Sequence, residues 1–152
     1  MKQPRYDINI KNFLPHREPM LLATVTPYLD QESVITHFNI PEDCIFLDEE
    51  GQLSEAGLIE NAAQASSSIV GQSYFDDDDV EGTGNKLVGY ISAIKKAEVY
   101  ELPKIGELLV TKAKLVSRFD TGTMSICTIT SSTFRNDDLI VDCNFNFLIH
   151  EV

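Results

Sequence analysis

The chain has 152 residues, the length of one compact domain, and its balance of 43% apolar to 24% charged residues excludes wholesale disorder and a membrane-embedded chain. Twenty-four acidic against twelve basic side chains give a net charge of −12, which repels a phosphate backbone and argues against nucleic acid as a partner. One domain spanning 1–152 is the expectation.

The opening stretch to Leu14 has no unbroken apolar segment followed by a small-residue cleavage site, and no later stretch reaches the roughly 18 apolar residues of a membrane helix. The cytoplasm is therefore the expected compartment, with no membrane partner. Next comes Leu14-Pro15-His16-Arg17-Glu18-Pro19-Met20, where two prolines fix the backbone around a charged cluster held between apolar anchors. His16 there is either a turn-stabilising hydrogen bonder or a group held for chemistry. Met20 to Tyr28 and Ser33 to Asn39 are predicted as paired strands around Asp30, with His37 at a satisfied edge position.

Cys44, Cys127 and Cys143 cannot all pair within one chain, and none sits at a zinc-like spacing. They read as reduced, mostly buried thiols, with no metal expected. The segment Ser54 to about Tyr74 is predicted as the one long helix, with Ser54 as N-cap and Glu55 in the first turn, where a carboxylate suits the helix dipole. Ala56, Gly57, Ala62, Ala63, Ala65, Ser66, Ser67, Ser68 and Gly71 are all small and no lysine or arginine occurs, so the helix is expected to be enclosed by closely approaching backbone.

Within that helix stand Glu60, Asn61 and Gln64, with Glu60 and Gln64 four apart on one face. A carboxylate withdrawn from water is costly unless paired, hydrogen-bonded or protonated, and such a group suits acid/base work. The alternative is a Glu60 that meets solvent at a dimer seam or satisfies nearby backbone amides. The free N–H groups near Ala56, Gly57 and Leu58 are candidate donors to a substrate oxygen.

The Asp76-Asp77-Asp78-Asp79 run, followed by Gly82 and Gly84, is predicted to be a solvated loop; the spacing of a calcium-binding loop is absent. Beyond it the period switches to 2. Strands are predicted at Lys86 to Ile94, Glu107 to Arg118, Thr123 to Thr133 and Leu139 to Ile149, the last with every odd position apolar. Residues 1–81 hold 4 basic and 16 acidic side chains whereas residues 82–152 hold 8 of each, so any basic patch comes from the second half, where Lys95, Lys96, Lys112 and Lys114 lie. His150, next to the C-terminus, is expected to be an exposed bystander. A long antiparallel sheet packed on one enclosed helix is an α+β arrangement.

Three stretches carry a resemblance: Leu14-Pro15-His16-Arg17-Glu18-Pro19-Met20-Leu21-Leu22, Ile59-Glu60-Asn61-Ala62-Ala63-Gln64-Ala65 and Gly89-Tyr90-Ile91-Ser92-Ala93-Ile94-Lys95-Lys96-Ala97. In that order they resemble the signature stretches of the 3-hydroxyacyl-acyl-carrier-protein dehydratases. The resemblance implies the hotdog fold, a curved antiparallel sheet wrapped around one central helix and usually dimerised through the sheets. It implies Glu60 as a catalytic carboxylate, with Gln64, Asn61, Gly57 and Leu58 in substrate binding and no cofactor.

The family's histidine before the central helix has no counterpart in Phe46-Leu47-Asp48-Glu49-Glu50-Gly51-Gln52-Leu53. Three readings remain open: His16 takes the missing role, Asp48 or Glu49 does, or the chain is catalytically silent. His16 is the favoured one. The shortened lead resembles a divergent branch linked to bacterial polyene pigment synthesis, in which such subunits pair with a second hotdog protein. The implied substrate is a 3-hydroxyacyl thioester on acyl carrier protein or coenzyme A, with the four lysines named above as carrier-docking candidates and a homodimer or heterodimer as the assembly. A non-catalytic acyl-binding subunit and an acyl thioesterase are the alternatives.

Overall fold

The computed structural model describes residues 3–74 and 87–152; the four-aspartate run and Lys86 lie outside the described residues. Eight principal elements follow one another: β1 (Arg5–Ile8), β2 (Val25–Leu29), β3 (Ser33–Asn39), α1 (Glu55–Gly71), β4 (Leu87–Val99), β5 (Leu108–Asp120), β6 (Met124–Arg135) and β7 (Asp138–Glu151). The strands form one antiparallel sheet in the order β1-β2-β3-β5-β6-β7-β4, and α1 packs on its inner face against β3, β5, β6 and β7. This is the α+β architecture expected from the sequence.

The alternation in β7 fixes which face is inner. Val141, Cys143, Phe145, Phe147 and Ile149 are buried and pair in register with Thr133, Ser131, Ile129, Cys127 and Ser125 of β6. Leu139, expected on the same face, is exposed instead, because the register shifts between Thr133 and Phe134 and gives the buried position to Ile140. The β6–β7 turn is closed by Asn136 and Asp137, both at positive φ (50° and 67°), as a two-residue hairpin requires.

Ser54 caps α1 as predicted, its Oγ accepting the Gly57 N–H at 3.2 Å. Twelve of the seventeen helical residues are buried, so the helix is enclosed around most of its circumference. Gly57 is where that enclosure is tightest: a Cβ there would stand 2.7 Å from both Leu53 Cδ1 and Phe46 Cβ. The segment that leads into the helix therefore lies directly on its first turn.

Predicted boundaries differ in places, and the strand expected to end at Ile94 runs on to Val99. The first strand of the β2–β3 pair begins at Val25 rather than Met20, because residues 17–21 turn back on themselves, with the Met20 N–H donating to the Arg17 carbonyl at 2.8 Å. Leu22 does not join a strand ladder at all; its peptide groups are bonded by side chains of α1, as described below. Strand β1 was not predicted, since Arg5-Tyr6-Asp7-Ile8 shows no alternation and Asp7 sits at φ 52°.

At the other edge of the sheet, among the described residues, β4 pairs only with β7 and carries two irregularities, between Ile91 and Ala93 and between Ile94 and Lys96. Ile91 and Ile94, in register with inward-facing Phe147 and Phe145, are still 40% and 47% exposed, because α1 covers the middle of the sheet more than this edge. All three cysteines are free, and burial pushes the Cys127 and Cys143 thiols up to about 11. Among the described residues no helix is long and apolar enough to cross a membrane.

Candidate active site

The site is built where the proline-bounded loop meets α1. Arg17 folds its guanidinium over its own loop, Nη1 donating to the carbonyls of Leu14 (3.0 Å) and His16 (2.7 Å). Lys11 and Glu18 bracket the same loop with an ion pair of 2.8 Å, and the Lys11 ammonium holds the Glu18 carboxyl below the usual carboxylate range. This clamps the backbone on which His16 is carried. Its ring turns inward, and His16 Nε2 stands 3.7 Å from Glu60 Oε1.

That distance is longer than a hydrogen bond, yet it leaves both groups half-buried at the edge of one cavity, where a single bound molecule can touch each. His16 Nδ1 is buried and has no hydrogen-bond partner among the described residues, so the imidazole offers its chemistry through Nε2.

Gln64 connects the carboxylate to the loop. Its Nε2 donates to Glu60 Oε1 (3.0 Å) and to the Met20 carbonyl (2.8 Å), and its Oε1 accepts the Leu22 N–H (2.7 Å). Asn61, one residue along from Glu60, donates from Nδ2 to the Leu22 carbonyl at 2.5 Å and accepts from Thr111 Oγ1 at 3.0 Å. Thr111 in turn shares a 2.8 Å hydrogen bond with Thr133. A buried polar chain thus runs from Glu60 through the loop and the helix into the sheet, with each member satisfied.

The cavity has a volume of about 340 Å³. Phe13, Leu14, Pro15 and His16 of the loop form one side, Glu60, Ala63, Gln64, Ser67 and Gly71 of α1 the floor, and Gly89, Tyr90 and Ile91 of β4 with Phe147 and Ile149 of β7 the far wall. Away from Glu60, His16 and Gln64 the lining is mostly apolar or small, which suits a hydrocarbon group held beside a polar reaction centre.

Of the residues singled out in the sequence, Glu60, His16 and Gln64 come together. Asn61 is fully buried and bonds away from the cavity, while Gly57 and Leu58 face the lead-in segment and the core. The N–H groups of Gly57 and Leu58 are already taken, by Ser54 Oγ and the Ser54 carbonyl at 3.0 Å. Asp48 closes its own turn, its Oδ1 accepting the N–H groups of Glu50 and Gln52 at 2.9 Å each, and neither it nor Glu49 lines the cavity.

None of the four lysines lines the cavity either. Lys112 and Lys114 stand on the outer face of β5, Lys112 with its ammonium 5.4 Å from the Phe134 ring centre, and Lys96 approaches Glu98. His37 lies outside the cavity, and His150 stacks on Tyr90 at 5.9 Å between ring centres.

The sequence reading missed several wall residues. Ser67 and Gly71 continue the spacing of Glu60 and Gln64 along one helical stripe, so a signal for them existed. Gly89 opens the third stretch that carries the family resemblance, whereas Phe13 had no signal, because only folding brings it to the cavity.

A seven-stranded antiparallel sheet wrapped on one central helix is the hotdog fold, and solved structures agree. Over 97% of this chain and 93% of the other, a chain of the dehydratase heterocomplex ApeI:P from Xenorhabdus doucetiae superposes with a TM-score of 0.77 at 17% identity. A hypothetical thioesterase from Streptococcus pneumoniae, solved with coenzyme A, matches with a TM-score of 0.58 at 12% identity over 83% and 84% of the two chains. A virulence protein from Campylobacter jejuni matches with a TM-score of 0.63 at 12% identity over 95% and 96%. No curated protein matches the chain. A family model described as ApeP-like, ApeP dehydratase, matches residues 8–89, which include the clamped loop, Glu60 and Gln64. The chain belongs to the ApeP-like dehydratase family.

Proposed function

We propose that this protein removes water from 3-hydroxyacyl thioesters, with Glu60 and His16 as its catalytic residues. The observation that carries the reading is the 3.7 Å approach of His16 Nε2 to Glu60 Oε1 at the mouth of a mostly apolar cavity. In the reaction the Cα–H and Cβ–O bonds break and a Cα–Cβ double bond forms. His16 Nε2 accepts the Cα proton, and a protonated Glu60 gives its proton to the departing hydroxyl, which leaves as water. The water so formed lies between the two groups and relays the proton from His16 back to Glu60, and the pair is reset. Gln64 holds the carboxylate in place through its 3.0 Å hydrogen bond.

The test is conversion of a 3-hydroxyacyl-carrier substrate to the enoyl form. Glu60→Gln abolishes it on this reading, and unchanged turnover refutes the assignment.

A second reading, a subunit that needs a hotdog partner, is favoured by a specific observation. Among the described residues strand β4 is an uncovered sheet edge, with Ile91 and Ile94 exposed beside the cavity, and one structural relative is part of a heterocomplex. A partner strand seated there would extend the sheet and supply the donor to the thioester oxygen that the N–H groups of Gly57 and Leu58 do not. Lys95, Lys96, Lys112 and Lys114 are the cations available to an acidic carrier protein. Size-exclusion chromatography coupled to the same assay separates the readings: a self-sufficient, active homodimer counts against the obligate partner.

A further inference from the structure

Both peptide groups of Leu22 are held by side chains of α1: Gln64 accepts its N–H at 2.7 Å, and Asn61 donates to its carbonyl at 2.5 Å. The stretch between His16 and Leu22 is folded tightly, with the Met20 and Leu21 N–H groups both donating to the Arg17 carbonyl, at 2.8 and 3.0 Å. Wherever Leu22 is pinned, the backbone next to His16 follows.

What pins Asn61 lies in the sheet. Asn61, Thr111 of β5 and Thr133 of β6 are all fully buried, and the two threonines face each other in register. The direction of their hydrogen bonds follows from counting donors. The Leu22 carbonyl only accepts, so it takes the amide nitrogen of Asn61 and turns Oδ1 towards Thr111. An amide oxygen only accepts as well, so the single hydroxyl proton of Thr111 goes to it at 3.0 Å. Thr111 has no second proton, and the 2.8 Å hydrogen bond between the threonines is therefore donated by Thr133. The chain runs one way, from β6 through β5 and α1 to the loop, and ends on Leu22.

Packing gives no reason for these hydroxyls. The inward positions of β5 on either side of Thr111, Leu109 and Ala113, are buried and apolar. Valine has the shape of threonine with no proton to place, and buried polar pairs replaced together by apolar groups of their own shape leave stability nearly unchanged or improved. What valine cannot do is hold the Asn61 amide. Its oxygen would be left an unsatisfied acceptor between helix and sheet, and its hold on Leu22 would loosen.

We infer that Thr111 is a positioning residue for the His16–Glu60 pair: its hydroxyl, aimed by Thr133, holds Asn61, and Asn61 holds the Leu22 end of the loop that carries His16. Thr111 does not line the cavity, so it acts only through these residues. The placement of His16 rests on the hydrogen bonds alone, whereas the effect on turnover rests on the dehydratase reading above.

The chain has three histidines, so the imidazole Cε1–H signal of His16 is assignable by proton NMR from its loss in His16→Asn. The experiment reads that signal, and turnover of the 3-hydroxyacyl-carrier substrate, in the native protein, Thr111→Val and Thr111→Ser. Expected in Thr111→Val are a shifted or broadened His16 signal with that of His150 unmoved, and a fall in kcat of about tenfold or more with KM held within about twofold. Thr111→Ser, which keeps the hydroxyl, restores both. A valine variant that only melts earlier, with the His16 signal and the kcat of its folded fraction unchanged, overturns the inference, as does a serine variant that behaves like the valine one. Should Thr111→Val not fold, Thr133→Val tests the same chain, with the His16 signal moving and kcat falling by about threefold, and an unmoved signal there overturns it. A moved His16 signal in a protein without native turnover supports the positioning role and removes the dehydratase reading instead; an unmoved signal without turnover overturns both.

Discussion

Gln64 and Leu22, 42 positions apart in the chain, are joined by a 2.7 Å hydrogen bond from the Leu22 N–H to the Gln64 side-chain oxygen, and the same amide holds Glu60 through its nitrogen. One side chain thereby sets the spacing between the loop that carries His16 and the carboxylate that faces it. Replacing Gln64 by leucine leaves the buried Leu22 N–H without its partner, while the Met20 carbonyl belongs to an exposed residue. With about 1–3 kcal/mol for one such buried group, the variant is expected to lose roughly 1–3 kcal/mol, read from the midpoint of urea unfolding. A loss below 0.5 kcal/mol, within the ordinary scatter of surface substitutions, would show that the loop does not depend on this link.

His16 is separable from the fold in a way that Gln64 is not, since its Nδ1 makes no hydrogen bond among the described residues and its Nε2 only approaches Glu60. His16→Asn is expected to reduce turnover of a 3-hydroxyacyl thioester by about 10²–10⁴-fold, the usual worth of a positioned proton carrier, with little change in melting temperature. Retained turnover would reassign His16 to loop packing.

The contact of Gly57 with Phe46 and Leu53 leaves no space for a methyl group. Gly57→Ala is expected to destabilise the protein by about 1–3 kcal/mol through overpacking, although alanine is the better helix former. Thermal unfolding decides it, and a stabilised variant would mean that the lead-in segment moves away at little cost.

The helix cap is a smaller and independent term. Ser54→Ala removes the acceptor for the Gly57 N–H and is expected to cost about 1 kcal/mol, restored to within a few tenths by Ser54→Asp. An alanine variant as stable as the aspartate one would show that the cap contributes nothing.

Desolvation raises the two buried thiols from 9.0 to about 11. Between those values the unfolded chain has released protons that the folded chain keeps, so these groups make stability fall as pH rises through that window. The urea midpoint is expected to decline from pH 9 to pH 11 less steeply in a Cys127→Ala, Cys143→Ala double variant than in the native protein. Equal slopes would mean that the thiols titrate alike in both states.

Much of the architecture was legible before folding was considered. The alternation from Val141 to Ile149, the Ser54 cap and the run of small residues in α1 each act through neighbours a few positions away, so they leave a local trace in the sequence. The likeness of three short stretches to a dehydratase family added Glu60 and Gln64, and the match of residues 8–89 to the ApeP-like model agrees with it.

Long-range contact decided the rest. That His16 approaches Glu60, that Asn61 and Gln64 spend their amides on Leu22 and Met20, and that Gly89 pairs with Ile149 in the cavity wall all depend on chain segments tens of residues apart. No local pattern encodes such meetings, because hydrogen bonds and steric contacts act over a few ångströms in space and are indifferent to separation along the chain. Neither the partner of each polar side chain nor the faces that α1 turns to loop and sheet has a local trace; burial of the apolar strands decided both, by drawing those polar groups out of water and towards one another.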